Sequence, residues 1–222
     1  MKILLDSANI PDIQWAVAAG LIDGVTTNPS LVANDSPNRD HKGHLGEICQ
    51  LVRGPVSVEV VALDSEGMYR EGKELAKVAE NIVVNVPMIE EGLIAVRRLV
   101  ADGIRVNVTL VYTPAQALFA AKAGAAMVSP FIGGLDEIGQ DGLALIADVR
   151  TIFDNYDIEC EVLASAVASP AHFTQAAMLG ADAVTVPAAV LRSLLLHPLT
   201  DRGLDRFLHD WSRQIAKSRA GA

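Results

Sequence analysis

The side chains in this chain that could do chemistry each close a short apolar run: Asp6, Thr27-Asn28, Glu59, Asn85, Asn107, Thr109, Ser129 and Phe131. They supply two carboxylates, three amides, hydroxyls and one aromatic ring. Paired carboxylates can pass a proton as acid and base, while amides and hydroxyls can orient a polyol or polarise a carbonyl. Asn85 is the sharpest case, because Ile82-Val83-Val84-Asn85-Val86-Pro87 is an apolar run with one polar side chain near its end. An amide cannot form a Schiff base, so amine catalysis through residue 85 is excluded. Taken singly, each of these groups is also explained by a polar layer whose members hydrogen-bond one another. Their convergence at strand ends favours a site.

The elements that must hold them follow from periodicity. Short β-rich runs are predicted as strands over 2–6, 24–27, 56–60, 82–86, 105–109, 126–131, 159–163 and 183–186. Segments such as 64–79, 90–101 and 114–123 repeat apolar residues at three and four, a helical period. Several strands are apolar throughout, as expected when both faces are covered. Eight such units predict an α/β chain folded as one (β/α)8 TIM barrel domain over 1–222, with reacting groups at the C-terminal strand ends. A weak internal echo fits: the runs beginning at Ala121 and Ala177 each end a helix at glycine, Gly124 or Gly180, before a strand. Beyond the last strand, 200–218 is predicted as an extra helix with Leu204, Phe207, Leu208, Trp211 and Ile215 on one face. That face either covers the barrel or packs on a neighbouring subunit. The stretch 34–44 is expected to be a polar loop.

Composition narrows the function classes. With 50% apolar residues in 222, the chain can build a substantial core, and a net charge of -9 argues against a general nucleic-acid face. An anionic small substrate, needing only one or two local cations, stays open. Cys49 and Cys160 match no metal-ligand spacing and are expected to be reduced structural thiols. The start, Met1-Lys2-Ile3-Leu4-Leu5-Asp6, does not resemble a signal peptide, and no apolar run nears the roughly 20 residues a membrane helix needs. A soluble cytoplasmic protein with no cofactor and no metal is expected. A metal held by Asp6, Glu59 and the asparagines is a minor alternative, since no histidine joins them. His172 stands near a strand end and could titrate, though a capping or surface role fits it better.

At these residues the chain resembles a known family. Leu5-Asp6-Ser7-Ala8-Asn9, Gly24-Val25-Thr26-Thr27-Asn28-Pro29-Ser30, Val58-Glu59-Val60, Asn107-Val108-Thr109-Leu110, Ser129-Pro130-Phe131 and His197-Pro198 with Asp210-Trp211 resemble the transaldolases. The similarity is to the short subfamily that includes fructose-6-phosphate aldolase. It implies a strand lysine that condenses with a ketose, and the matching position is Asn85. It further implies that Glu59 and Thr109 hold a proton-shuttling water, that Asp6 is a general acid or base, and that Asn28 and Asn107 orient hydroxyls. Catalytic roles are thus expected at Asp6, Glu59, Asn85 and Thr109, and substrate contacts at Thr27, Asn28, Asn107, Ser129, Phe131 and Ser165. Phe131 matches the transaldolase form, where the hydrolytic aldolases carry tyrosine. Pentamers or pairs of pentamers are implied as the assembly.

The phosphate end departs from the family: an arginine is missing at Gly134, and a serine and a basic residue at Ala166 and Ala168. Ser165, Ser169 or Arg105 are the candidates to compensate. No other lysine substitutes for residue 85, because Lys2, Lys42, Lys73, Lys77, Lys122 and Lys217 fall on helices, loops or the start of the first strand. The favoured expectation is a diverged enzyme acting by acid–base chemistry on an unphosphorylated, sugar-like or polyol-like small molecule. Its alternatives are a lysine-to-asparagine inactivated transaldolase or aldolase that handles a dihydroxyacetone unit, and a non-catalytic binding protein.

Overall fold

The computed structural model describes residues 1–35 and 41–220. The chain runs β1 (Lys2–Asp6), α1 (Ile10–Ala18), β2 (Gly24–Thr26), α2 (Pro29–Asp35), α3 (His41–Leu51), β3 (Val56–Glu59), α4 (Ser65–Ala76), β4 (Ile82–Pro87) and α5 (Glu90–Ala101). It continues with β5 (Val106–Val111), α6 (Pro114–Lys122), β6 (Met127–Pro130), α7 (Ile132–Glu137), α8 (Gly142–Asn155), β7 (Glu161–Ala164), α9 (Pro170–Met178), β8 (Ala183–Pro187), α10 (Ala188–Leu194) and α11 (Pro198–Ala220). The eight strands pair in parallel in chain order and β8 returns to β1, closing a (β/α)8 barrel with an extra C-terminal helix.

Side chains that alternate along these strands explain both the core and the site. Outward residues such as Leu5, Val84, Val108, Val128 and Val184 are fully buried against the helices. A second, separate cluster of Leu4, Val83, Met127, Leu163 and Ala183 plugs the barrel interior. Two residues further along the same five strands stand Asp6, Asn85, Ser129, Ser165 and Thr185. One pleat therefore converts the apolar plug into a polar floor. Burial of each large plug side chain contributes about 1.5–3 kcal/mol, which supports the floor from below.

The turns leaving the strand ends are fixed by caps. Asn9, Asp64, Thr113, Asp141 and Ser169 each accept a backbone N–H at the start of α1, α4, α6, α8 and α9, and a proline sits in the first turn of α1, α6 and α9. At Leu110 the backbone takes φ 57°, and the β5–β6 register shifts between Val108 and Val111.

Some expectations are corrected. Within 34–44, α2 reaches residue 35 and α3 starts at His41, and residues 36–40 lie outside the described residues. His44 is buried, with Nε2 2.8 Å from the Ala8 carbonyl oxygen. The seventh strand starts two residues later than expected, at Glu161. Leu204, Phe207, Leu208 and Trp211 are each more than half exposed, so that face of α11 does not cover the barrel.

Candidate active site

Register brings the right-hand half of the site together. Glu59 on β3 pairs with Asn85 on β4, and Asn85 pairs with Asn107 on β5. Their inward side chains stand level on three adjacent strands. Asn85 Oδ1 accepts from Ser57 Oγ and, at 2.9 Å, from Asn107 Nδ2. Ser129 Oγ donates to Asn107 Oδ1 at 2.9 Å, and Thr109 Oγ1 donates to Glu59 Oε1 at 2.8 Å. Burial raises the Glu59 pKa, and hydrogen bonds from Thr109 and Asn85 work against that rise. A run of donors thus ends on one half-buried carboxyl that holds its proton to higher pH than usual.

Asp6 anchors the left-hand half. It pairs with Thr26 on β2, whose Oγ1 donates to Asp6 Oδ1 at 3.1 Å. Thr185 Oγ1 on β8 lies 2.5 Å from Thr26 Oγ1. Burial raises the Asp6 pKa too, opposed by the Thr26 hydrogen bond. The site therefore holds two carboxyls, each with its own hydroxyl or amide support, on β1 and β3 with only β2 between them, and both line one space.

That space is a cavity of about 150 Å³ at the strand ends. All ten expected side chains line it: Asp6, Thr27, Asn28, Glu59, Asn85, Asn107, Thr109, Ser129, Phe131 and Ser165. At about 30 Å³ per water, it holds roughly five waters or the reacting end of a small polyol. Several of the ten have their hydrogen bonds committed. Thr27 Oγ1 donates to the Ser57 carbonyl at 3.0 Å, Ser165 Oγ donates to the Leu163 carbonyl at 3.3 Å, and Asn28 Oδ1 accepts the Leu31 N–H at 2.9 Å. Asn28 is left its amide hydrogens to offer a hydroxyl. A wider groove of about 360 Å³, lined by Leu118, Ala121, Lys122, Tyr156 and Ile158, lies away from the strand ends and gathers no comparable polar set.

The lining includes no lysine, arginine or histidine among the described residues. Arg105 precedes β5, at the barrel end away from the cavity, so it cannot replace a phosphate anchor. Ser169 is occupied as the cap of α9, accepting from the His172 N–H at 3.2 Å. His172 is held outside the cavity: Nδ1 accepts the Ala168 N–H at 3.4 Å and Nε2 lies 3.3 Å from Asp136. A Cβ built on Gly134 would sit 3.1 Å from Tyr112 Cε1 and 3.3 Å from its hydroxyl, so the Tyr112 ring fills the space a side chain there would enter. One on Gly133 would meet the Ala166 carbonyl oxygen at 2.5 Å, so only glycine fits between α7 and the loop after β7. Ala166 itself takes φ 59°. Among the described residues, no group of three or more His, Cys, Asp or Glu is placed to hold a metal ion. Cys49 and Cys160 are free and buried, and burial pushes their thiols up to about 11 and about 12.

Sequence reasoning missed Ser57, Thr26, Thr185 and Tyr112. The first three had a usable signal, a hydroxyl at inward parity in a strand that also carries a plug or site residue. Tyr112 had none, since its place depends on the bend at Leu110 and on the Phe131 ring, 6.2 Å away and tilted by 59°.

Comparison with known proteins places the chain in a family and a fold. The family model described as Transaldolase/Fructose-6-phosphate aldolase matches residues 3–220. A "Probable transaldolase" of Methanococcus vannielii is 52% identical over 217 residues, covering 98% of this chain and 100% of that protein. Others so named, from Desulfosudis oleivorans and Bdellovibrio bacteriovorus, are each 51% identical, covering 96% and 98% of this chain and 99% and 100% of their own lengths. Two solved structures share the fold. A cube-shaped protein cage designed by fusing symmetric oligomeric domains gives a TM-score of 0.61 at 14% identity, covering 99% of this chain and 80% of its own. A mandelate oxidase mutant gives 0.58 at 17%, covering 85% and 65%. The chain belongs to the transaldolase/fructose-6-phosphate aldolase family.

Proposed function

We propose that the protein is a diverged member of this family that moves protons on an unphosphorylated ketose or polyol without a Schiff base. The observation that carries the reading is Asn85. Its Oδ1 takes hydrogen bonds from Ser57 and Asn107, and its amide supports Glu59, so the family's lysine position is built into a neutral network. Two half-buried carboxyls with raised pKa values complete an acid–base pair. In the ionised form, one of Asp6 and Glu59 takes the proton from carbon beside a carbonyl. The C–H electron pair becomes a carbon–carbon double bond, and the carbonyl oxygen takes a proton from the other, protonated carboxyl. The enediol then collapses: the carboxyl that took the first proton returns it to either carbon while an enediol O–H gives its proton back to the other, now ionised, carboxyl, giving isomerisation or epimerisation. Asn28 and Asn107 orient the hydroxyls, and Phe131 and Ser165 bound the chain. Among the described residues no cation lines the cavity, and positions 134, 166 and 168 carry only Gly134, Ala166 and Ala168, which supports a neutral substrate end.

The test is proton exchange. The protein is incubated in deuterium oxide with dihydroxyacetone or fructose, and deuterium at the exchangeable carbons is read by NMR, with Asp6→Asn and Glu59→Gln as controls. Exchange by the native protein that both variants lose supports the reading; exchange that persists in both refutes it. An inactivated transaldolase is the second reading, favoured by relatives at 52% identity that are named probable transaldolases. It leaves Gly134, Ala166 and Ala168 unexplained. Cytoplasmic action as a pentamer or a pair of pentamers belongs to the same proposal. Its support is the family and the exposed apolar stripe of α11, together with the observation that no described helix is long and apolar enough to cross a membrane.

A further inference from the structure

We propose that Thr185 is a positioning residue for the acid–base step, acting through Thr26 to fix the hydrogen bonding of the Asp6 carboxyl. The inference rests on Asp6 as a proton-moving group. Thr26 and Thr185 lie on β2 and β8, the two strands that flank β1, and each is only 6% exposed. Thr26 stands level with Asp6, whereas Thr185 pairs with Leu4, one pleat deeper. Their 2.5 Å contact therefore crosses the barrel interior beneath the carboxyl.

The direction of the chain follows from counting protons. When Asp6 is ionised, Thr26 gives its one hydroxyl proton to Asp6 Oδ1, and Thr185 is then the donor to Thr26. A hydroxyl that accepts a hydrogen bond becomes a better donor in its turn. Thr185 thus strengthens the bond that favours ionised Asp6, and it also stops the Thr26 hydroxyl from rotating away. A threonine inside Ala183-Val184-Thr185-Val186 is costly unless its hydroxyl is used, and Thr26 is where it is used. The other titratable group facing the cavity is Glu59, and no cation lines it among the described residues. Among the described residues, burial raises the Asp6 pKa and the Thr26 hydrogen bond at the head of this hydroxyl chain lowers it.

Replacing Thr185 with valine keeps the shape and removes the donor. A neutral Asp6 still offers its carbonyl oxygen to Thr26, so the loss falls on the ionised form and the Asp6 pKa must rise. The experiment titrates the protein labelled with ¹³C at the aspartate carboxyls, with Asp6→Asn to assign the resonance. Thr26→Val is expected to move the Asp6 titration upward by about one pH unit, and Thr185→Val by about half a unit. Thr185→Ser should titrate like the native protein. The double variant Thr26→Val/Thr185→Val should match Thr26→Val alone, because Thr185 acts only through Thr26. A Thr185→Val protein that titrates like the native one, or shifts that add in the double variant, would overturn the proposal. The readout needs no turnover, so a failed proton-exchange assay counts against the proposed function and leaves this result standing.

Discussion

Asn85→Lys places an amine where the resemblance implies the family's lysine, and it should destabilise the protein most at low pH. The native Asn85 Oδ1 accepts from Ser57 and Asn107, both buried. An ammonium accepts nothing, so two buried donors are stranded, at about 1–3 kcal/mol each. Attraction between the new ammonium and ionised Glu59, about 4 kcal/mol at 4 Å and an effective dielectric of 20 before desolvation, returns part of this. The return depends on Glu59 being charged. Burial raises the Glu59 pKa above its ordinary 4.5 in the native fold. The native protein therefore loses stability as pH rises from that value through the folded pKa. In the variant the ammonium pulls the folded pKa down, and that loss disappears. Thermal melts from pH 4.5 to 8 should show a deficit of roughly 3–10 °C at the acid end that narrows steadily towards pH 8. Borohydride trapping with dihydroxyacetone and fructose, read by intact mass, should give an adduct only with the variant. A deficit independent of pH, or a variant as stable as the native protein at pH 5, would refute the assignment of Asn85 as the acceptor hub beside a Glu59 whose pKa burial raises.

Glu59→Gln should flatten the native stability loss above pH 4.5, seen in the same melts, and reduce proton exchange by about 100-fold or more. Gly134→Arg alone should gain little affinity for a ketose phosphate, because Tyr112 fills the space, whereas adding Tyr112→Ala should bring roughly a tenfold gain by calorimetry. A single arginine that suffices would show that the ring yields freely. Phe207→Glu with Trp211→Glu on α11 should reduce the assembled fraction in sedimentation velocity while leaving far-ultraviolet circular dichroism unchanged.

The fold was legible because a parallel barrel strand is apolar on both faces and ends on a polar residue. Asp6, Glu59, Asn85 and Ser129 break such runs, and all line one cavity. What sequence hides is how a hydrogen bond is spent. Thr27 and Ser165 look like free hydroxyls, yet both donate to backbone carbonyls. Ser57 looks like filler one pleat below Glu59, yet it holds Asn85. Arg105 and Ser169 were plausible anchors by residue type, but one stands at the wrong end of a strand and the other caps a helix. The polar stretch 34–44 read as a loop because composition cannot show that His44 turns inward to the Ala8 carbonyl.

The left-handed Leu110 gives the barrel a point of adaptability. Between Val108 and Val111, β5 carries one residue more than the facing segment of β6, which runs from Val128 to Pro130. Asn107 lies before this interval and keeps its pairing with Met127, whereas Thr109 lies within it and holds its register on the other side, against Pro87 of β4. Everything past the bulge, including Val111, which accepts the Phe131 N–H, and Tyr112 over Gly134, is aimed by that single backbone turn. On the proposed function, a mutation or one-residue deletion there would re-aim the wall that meets the far end of a substrate while the floor of Asp6, Glu59 and Asn85 stays in place. One substrate tail could then be exchanged for another without rebuilding the proposed acid–base pair.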